Sequence, residues 1–180
     1  MQAKDERLIH KWLSNSKVLE FYEGRDVSFT MEEVKMKFFD RDDEVKRCMV
    51  VYQGKEIGYI QYYPITPDTS NLSDYQGLEG VYGLDQFIGE SEFWNKGIGP
   101  LLVTSMVDYL FSEKKAGRII MDPMISNVRA IKCYEKCGFR KVMVLPKHML
   151  HEGRYRDCWL MECNHEGKAA PLLKAEKSSG

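Results

Sequence analysis

A glycine-rich turn joins an apolar, strand-like segment to an amphipathic helix near the middle of the chain. The strand is predicted over 81–89, the turn is Lys96-Gly97-Ile98-Gly99, and the helix is predicted from Pro100 to about residue 115. Glycines let the backbone approach an anion closely, and the first N–H groups of a helix lack partners within it. Such a turn can bind a pyrophosphate, although Gly-x-Gly alone is weak evidence and is also found in ordinary strand-to-helix connections.

A second strand, loop and helix follow shortly afterwards. The strand is predicted over 118–122 and the short helix over 127–137. Gly138 stands where helices often end in a left-handed residue. The two units place helices between strands of one sheet.

The remaining periodicities predict helices before this region and strands on both sides of it. The further elements are helices over 5–19 and 30–39, strands over 48–52 and 57–63, and strands over 139–145 and 156–162. This order is an α+β, or mixed α/β, pattern with a central mixed sheet flanked by helices. Residues 1–163 are predicted to form one domain, and 164–180 a polar, flexible tail.

Composition narrows the classes of partner. The chain has 180 residues and is 43% hydrophobic, which suits a single core. Its 26 basic and 27 acidic side chains give a formal net charge of −1, so no basic field favours nucleic acid or an anionic membrane. Its apolar runs are far shorter than the roughly 20 residues of a membrane span, and the charged start is unlike a signal peptide. We expect a cytoplasmic protein, either a monomer or a homodimer.

The cysteines do not suggest a disulfide framework or a metal site. There are five of them, an odd number, and a reducing compartment would keep them as thiols. His148, His151, Cys158 and Cys163 are zinc-ligand types in a short stretch. Their spacing matches no common zinc motif, and Cys158 and Cys163 have opposite parity on one predicted strand. We therefore expect no metal.

The two strand–loop–helix units together resemble the GNAT superfamily of acetyl-coenzyme A-dependent N-acetyltransferases. The Gly97/Gly99 turn looks like the family's pyrophosphate loop, and 127–139 looks like its Asn-x-x-Ala-x-x-x-Tyr-x-x-x-Gly-Phe segment. Trp94 departs from the pattern, because the family usually has Gln or Arg three positions before the first glycine of this pair. GNAT domains also commonly open with a strand, which here is either absent or removed.

This resemblance implies a GNAT fold with two splayed central strands, and pantetheine lying between them in the manner of an added strand. Tyr134 would donate a proton to the departing thiolate, although a tyrosine at this spacing is also typical of a buried helix face. Backbone donors near Phe87 would polarise the thioester carbonyl. The implied acetyl-CoA-binding residues are Phe87, Ile88, Gly89, Trp94, Asn95, Lys96, Gly97, Ile98, Gly99, Pro100, Asn127, Ala130 and Tyr134.

A narrower resemblance covers most of the chain. Segments such as Tyr82-Gly83-Leu84-Asp85-Gln86-Phe87-Ile88-Gly89 and Leu150-His151-Glu152-Gly153 are similar to the aminoglycoside 6'-N-acetyltransferases, most of all to the acetyltransferase half of the bifunctional acetyltransferase–phosphotransferase enzymes. That family implies Asp85 as the catalytic carboxylate and Asp122 as part of the aminoglycoside site.

The chemistry of the acceptor agrees with this assignment. A protonated amine cannot attack a thioester, so a carboxylate must orient it and accept its proton. Asp85 lies on an otherwise apolar strand, where burial can raise the pKa of its carboxyl group. Other carboxylates would bind the remaining ammonium groups of a polycation, and each of them could also be a solvated surface charge. These candidates are Glu23, Asp68, Asp74, Glu79, Glu152 and Asp157.

The sequence therefore predicts direct acetyl transfer from acetyl-CoA to the 6'-amine of aminoglycosides, conferring resistance. Cys133 and Cys137 are rejected as nucleophiles because no partnered base is evident. One alternative is a GNAT enzyme for another amine, such as a polyamine, a siderophore precursor or a protein N-terminus. Another is a non-catalytic acyl-CoA-binding module, in which Asp85→Asn would change nothing. The drug range and the kinetic order stay open at this point.

Overall fold

A six-stranded sheet forms the centre of the molecule. The computed structural model describes residues 1–66, 72, 75 and 78–165. Neighbouring strands are antiparallel except for one parallel pair, β3 and β4, which confirms the predicted mixed sheet. The strands are β1 (Lys46–Tyr52), β2 (Lys55–Pro64), β3 (Val81–Ile88), β4 (Arg118–Met121), β5 (Arg140–His151) and β6 (Arg154–Asn164), in the order β1-β2-β3-β4-β6-β5.

Five α-helices accompany the sheet in the described part of the chain. They are α1 (Glu6–Trp12), α2 (Ser16–Leu19), α3 (Met31–Phe38), α4 (Ile98–Ser112) and α5 (Val128–Lys136). The prediction of a single helix over 5–19 is wrong. Asn15 interrupts it, because its side chain accepts a hydrogen bond from the backbone N–H of Lys17 and so caps a separate helix. Residues 1–45 contain no strand, so the first strand follows three helices.

Local sequence signals set the other helix boundaries. Thr30 and Glu33 form a capping box at the start of α3. Asn127 caps α5, and Gly138 follows that helix at φ 91°, as its position predicts. Helix α4 begins two residues before Pro100, since Gly97 at φ 76° already turns the chain into the helix. None of the helices described is long and apolar enough to cross a membrane.

The helices cover both faces of the sheet. One apolar cluster packs α1, α2 and α3 against Tyr59 of β2 and Phe87 of β3. The other joins α4 and α5 to Leu84 of β3 and to the central strands beyond it. Adjacent residues of β3 therefore point into different layers, because side chains alternate along a strand. Asp85 shares the face of Phe87, whereas Gln86 shares the face of Leu84.

The sheet splays at its parallel pair. Strands β3 and β4 are paired only through residues 81–83 and 118–120. Beyond that point β3 continues to Ile88, whereas β4 ends at Met121. The predicted splayed strands are thus present, and half of β3 has an edge that faces no strand. This opening positions the candidate site.

The last two strands form a longer hairpin than predicted. Glu152 and Gly153 make its turn at φ 51° and φ 69°. Cys158 and Cys163 of β6 are both buried, as small apolar side chains. The residues of the predicted tail after His165, like Asp68 and Asp74, lie outside the described part of the chain.

Candidate functional site

A cleft of about 770 Å³ occupies the opening between β3 and β4. Its walls come from the open half of β3, the glycine turn, the loop after β4, one face of α5 and the segment around Phe21. The turn of the β5–β6 hairpin closes one end through His151. The cleft therefore reaches both layers of helices.

The backbone of β3 presents alternate residues to this cleft. Gly80 accepts hydrogen bonds on its carbonyl from Gly117 and Arg118 on the β4 side, whereas the Gly89 N–H donates to Ile57 on the β2 side. By this alternation the peptide groups of even-numbered residues, including Gln86 and Ile88, face the opening.

This pattern corrects the predicted contacts with pantetheine. The peptide groups of Phe87 and Gly89 face β2, so their N–H groups are not available to a ligand in the cleft. Phe87 lines the cleft without presenting its peptide donor to it. The Ile88 carbonyl already accepts a hydrogen bond from the Trp94 indole at 2.7 Å. The remaining backbone donors on the open edge belong to Gln86 and Ile88.

The glycine turn has the geometry of an anion cradle. A Cβ built on Gly97 would meet nothing within 4 Å, whereas one on Gly99 would lie 3.3 Å from the Cys133 sulfur. The first backbone N–H groups of α4 lack partners within the helix and lie beside this open space. Asn95, Gly97, Gly99 and Pro100 line the cleft. Lys96 and Ile98 do not, and Ile98 is buried in the core instead.

One face of α5 lines the same cleft. It carries Asn127, Ala130 and Tyr134, as predicted, together with three cationic side chains that sequence reasoning missed. Asn127 accepts a hydrogen bond from the Ala130 N–H at 3.3 Å, so its side chain also holds the start of the helix. The missed cations are Arg129, Lys132 and Lys136. Their spacing of three and four residues is the sequence signal that could have revealed them.

The departure at Trp94 is offset by Arg129. The Arg129 guanidinium lies 4.4 Å from the centre of the Trp94 ring and 5.7 Å from that of Phe21. Position 94 therefore has no charge of its own, but its aromatic face fixes a cation that comes from α5. The turn and α5 together keep a positive group at the edge of the cleft.

Tyr134 and Gln86 meet inside the cleft. The Gln86 side-chain N–H donates to the Tyr134 hydroxyl oxygen at 2.6 Å. Burial raises the pKa of Tyr134 above its ordinary value. Tyr134 is thus a neutral phenol at physiological pH and can donate its proton.

Asp85 lies on the opposite face of β3. Gln61 donates its side-chain N–H to the Asp85 carboxylate at 2.8 Å, and the Tyr63 hydroxyl is also hydrogen-bonded to it. Burial, followed by the negative charge of Asp122, raises the pKa of Asp85 to about 6. The expected upward shift is present, and a carboxylate with this pKa can act as a base near neutral pH.

Asp122, the predicted aminoglycoside-site carboxylate, follows β4 and lines the cleft. Its Oδ2 lies 2.7 Å from Nε2 of His148, which reaches it from β5. The imidazole fixes the orientation of this carboxylate and leaves its second oxygen available. His148, like Gln61 and Tyr63, has no local sequence pattern that marks it as part of a site.

A second cavity of about 510 Å³ adjoins the first. Tyr22, Glu23, Gln61 and Asp85 line both cavities, so Asp85 lies at their junction. Acidic side chains of the loop after α3 also line the second cavity; they were not predicted, and they are Asp42, Asp43 and Glu44.

Ion pairs neutralise some of the carboxylates of this second cavity. Glu23 pairs with Lys37 at 2.6 Å, and Asp43 pairs with Arg47 at 2.7 Å.

Three further predicted carboxylates that the structure describes, Glu79, Glu152 and Asp157, line neither cavity. Glu152 forms an ion pair with Arg25, whose Nη2 lies 2.9 Å from it, and so holds the early loop against the hairpin turn. Asp157 accepts a hydrogen bond from the Lys147 backbone N–H at 2.8 Å. Glu79 is exposed at the end of the long loop. In the part of the chain that the structure describes, no three His, Cys, Asp or Glu residues are grouped as metal ligands.

Comparison with known proteins agrees with this geometry. The family model of the acetyltransferase (GNAT) domain matches residues 2–145. The chain is 30% identical over 144 residues to the aminoglycoside N(6')-acetyltransferase type 1 of Klebsiella pneumoniae, covering 78% of this chain and 72% of that protein. It is 26% identical over 89 residues to the spermine/spermidine N(1)-acetyltransferase of Bacillus subtilis (strain 168), covering 49% and 55% of the two chains.

A solved structure extends the likeness to the fold. The aminoglycoside acetyltransferase AAC(6')-Ib in complex with coenzyme A and kanamycin superposes with a TM-score of 0.76 and 25% identity. The match covers 93% of each chain.

Proposed function

The chain belongs to the GNAT acetyltransferase family, and from this premise we propose that it transfers the acetyl group of acetyl-CoA to the 6'-amine of aminoglycoside antibiotics. The observation that carries the proposal is the position of Asp85. Its carboxylate lies where the cleft on the α5 side meets an acidic cavity on the α3 side. A base at this junction can contact an acceptor amine on one side and an acyl donor on the other.

The residues of the cleft fit acetyl-CoA, which supplies the acetyl group as a thioester. The glycine turn and the start of α4 would bind the pyrophosphate. The cations of α5 add positive charge beside them, and the backbone N–H groups of Gln86 and Ile88, which face the opening, suit the amide carbonyls of pantetheine. In this arrangement, the donors at residues 86 and 88 would also polarise the thioester carbonyl.

Asp85 would bind the acceptor amine and take its proton. Because burial raises the pKa of Asp85 to about 6, its carboxylate is ionised at pH 7 and still basic enough to accept a proton. Gln61 and Tyr63 hold the carboxylate in one orientation through their hydrogen bonds. The amine therefore meets the base in a fixed position.

The acceptor side favours a compact polycation. Asp122 lies near enough to Asp85 for its charge to raise the pKa of Asp85, so these two carboxylates are close neighbours at the first cavity. Asp42 and Glu44 of the second cavity take part in none of the ion pairs between described residues. These groups are separated in space, as are the ammonium groups on the rings of an aminoglycoside.

The test is thiol release from acetyl-CoA with kanamycin, tobramycin, a 6'-hydroxyl aminoglycoside and spermidine as separate acceptors. Turnover with the 6'-amino drugs alone, reduced on the order of 100-fold or more in Asp85→Asn, is expected. Equal turnover with the 6'-hydroxyl drug would place the acetyl group on another amine. No turnover with any drug would remove the antibiotic as substrate.

A polyamine is the second candidate acceptor, because an acidic cavity next to Asp85 also suits a linear polycation. The Bacillus subtilis spermine/spermidine N(1)-acetyltransferase is similar over half of this chain. The spermidine arm of the same assay separates the two candidates. Binding of acetyl-CoA without turnover of any amine, unchanged in Asp85→Asn, would instead identify a non-catalytic acyl-CoA-binding module.

A further inference from the structure

We propose that Gln86 is a positioning residue for proton transfer, and that its side-chain N–H stabilises the phenolate of Tyr134 when Tyr134 protonates the departing thiolate. The inference rests on the proposed function, since it assumes Tyr134 as the proton donor. It assigns to Gln86 a role distinct from that of its neighbour Asp85, although both belong to β3.

The contact between the two side chains is short and enclosed. The Gln86 Nε2 atom lies 2.6 Å from the Tyr134 hydroxyl oxygen, which joins β3 to α5. Both residues line the cleft. Because side chains alternate along β3, Gln86 and Asp85 act on opposite faces of one strand.

The direction of this hydrogen bond decides what Tyr134 can do. A phenol has one hydrogen, and its oxygen here accepts a hydrogen bond from Gln86. The phenolic hydrogen is therefore free to point into the cleft. If the carboxamide were reversed, Tyr134 would donate its hydrogen to Gln86 and would have none to offer a ligand.

The same hydrogen bond offsets the cost of burying a phenolate. Burial raises the pKa of Tyr134, which makes the charged form expensive in this site. The hydrogen bond from Gln86 lowers that pKa, because it favours the charged form. Hydrogen bonds to an ionised acceptor are stronger than those to a neutral one, so the contact strengthens as the proton leaves.

The oxygen of the Gln86 carboxamide, which makes no hydrogen bond to the described residues, is consistent with this role. The Gln86 Oε1 atom is buried and has no hydrogen-bond partner in the described residues. Leaving a buried acceptor unpaired destabilises a fold. An apolar side chain of similar size would avoid that cost. The hydrogen bond from the Gln86 side-chain N–H to Tyr134 explains why a carboxamide is present instead.

The proposed acetyl transfer forms one bond, breaks one bond and moves two protons. The acceptor nitrogen forms a bond to the acetyl carbon, the carbon–sulfur bond breaks, and its electron pair goes to sulfur. The Tyr134 hydroxyl proton moves to that sulfur, and the proton of the acceptor amine moves to Asp85. Solvent water then returns a proton to Tyr134 and removes one from Asp85.

A titration of position 134 tests the inference without any acceptor. Replacing Tyr134 by 3,5-difluorotyrosine brings the phenol into a measurable pH range, and the ¹⁹F chemical shift reports its ionisation. In Gln86→Met, which keeps the side-chain length but lacks the donor, we expect the titration midpoint to rise by about one pH unit. Gln61→Met is the matched control, because it removes the same type of donor from Asp85 on the other face; it should leave the midpoint within a few tenths.

A double-mutant cycle supplies the second readout. Gln86→Met should lower kcat about 10-fold or more when Tyr134 is present, and have little further effect in Tyr134→Phe. The KM for acetyl-CoA and the circular dichroism spectrum should stay close to those of the unaltered protein.

The outcomes separate this inference from the proposed function. An unchanged midpoint in Gln86→Met, or equal effects of Gln86→Met in both backgrounds, would overturn the role of Gln86. A raised midpoint in a protein that acetylates no aminoglycoside would instead support the link between Gln86 and Tyr134 and refute the proposed substrate.

Discussion

At the scale of the residue, the site depends on two side chains whose protonation is controlled by burial. Asp85 is kept basic on one face of β3, and Tyr134 is kept protonated beside the other face. Each receives a hydrogen bond from a glutamine, Gln61 or Gln86. The sequence predicted Tyr134 as the acid and Asp85 as the base but neither glutamine, because hydrogen-bond partners across strands depend on register.

The raised pKa of Asp85 implies a cost in stability. A carboxyl group whose pKa is higher in the folded than in the unfolded state destabilises the fold progressively as pH rises above the unfolded-state pKa, and fully once pH exceeds the folded-state pKa. Asp85→Asn should therefore stabilise the protein at pH 7 by about 1–3 kcal/mol, while it abolishes most activity. Chemical unfolding at several pH values is the measurement. The gain should be full above pH 6 and disappear below pH 4; a loss of stability at pH 7 would contradict the burial argument.

The charge of Asp122 should shift the pH dependence of catalysis. In the proposed reaction, activity requires the ionised form of Asp85, so kcat/KM should fall as pH drops through about 6. Asp122→Asn removes a negative charge that raises the pKa of Asp85, and the midpoint should move to lower pH. The profile of kcat/KM is measured from pH 5 to 8. Asp157→Asn, whose carboxylate lies outside both cavities, serves as the control and should leave the midpoint in place.

At the scale of the element, the cleft exists because β3 continues beyond the point where β4 ends. The pairing stops after Gly83 and Ile120, and the free edge of β3 then faces the start of α4 and one side of α5. The order of the elements along the chain and the helices that flank the sheet follow the pattern that the sequence predicted. The sequence did not predict where the pairing of β3 with β4 ends, because β4 is short and its last residue depends on the loop that follows.

The stack of Arg129 on Trp94 joins two of these elements. Arg129→Gln should raise the KM for acetyl-CoA about 10-fold or less and leave kcat nearly unchanged, because it removes a charge near the phosphates and not near the reacting atoms. Steady-state kinetics at saturating acceptor measure both constants. In the same variant, Trp94→Arg should restore part of the affinity, since it places the usual family charge on the turn; an unchanged KM in Arg129→Gln would show that the stack is only structural.

Close packing of β2 against β3 gives an element-scale prediction of stability. A Cβ on Gly58 would lie 2.3 Å from the Phe87 carbonyl oxygen, which belongs to the backbone and cannot turn aside. Gly58→Ala should destabilise the protein by about 2 kcal/mol or more and lower activity through the position of β3. Thermal or urea unfolding measures the change. Gly54→Ala is a control for a glycine with open space around it, although its φ of 78° carries a smaller strain cost of its own.

At the scale of the whole molecule, distant segments surround one cavity. The early loop is tied to the last hairpin by Arg25 with Glu152 and by the His151 ring with the Glu20 carbonyl, at 2.9 Å. These contacts join residues more than 120 positions apart, as their separations of 127 and 131 show. Glu152 therefore holds the early loop against the hairpin turn. Its charge is paired with Arg25 and is not free to bind a substrate, although the sequence predicted that role.

A ligand bound in the cleft should stabilise the folded protein against unfolding. At about 100 times its Kd, acetyl-CoA should add roughly 2.7 kcal/mol to the free energy of unfolding. For a chain of this size the melting temperature should rise by roughly 5–10 °C, as measured by differential scanning fluorimetry. Acetylpantetheine lacks the pyrophosphate and should give a much smaller rise at the same concentration; equal shifts would show that the glycine turn contributes little to binding.

The sequence by itself determined the elements, their order along the chain and the two strand–loop–helix units, and its family resemblances implied Asp85, Asp122 and Tyr134 as site residues. The signals for the elements are local, since periodicity, caps and glycine positions act within a few residues. Only the tertiary structure decided which peptide groups of β3 face the cleft, which carboxylates are neutralised, and that Gln86 meets Tyr134. These depend on strand register and on pairs such as Arg25 with Glu152, whose partners come together only when the chain has folded.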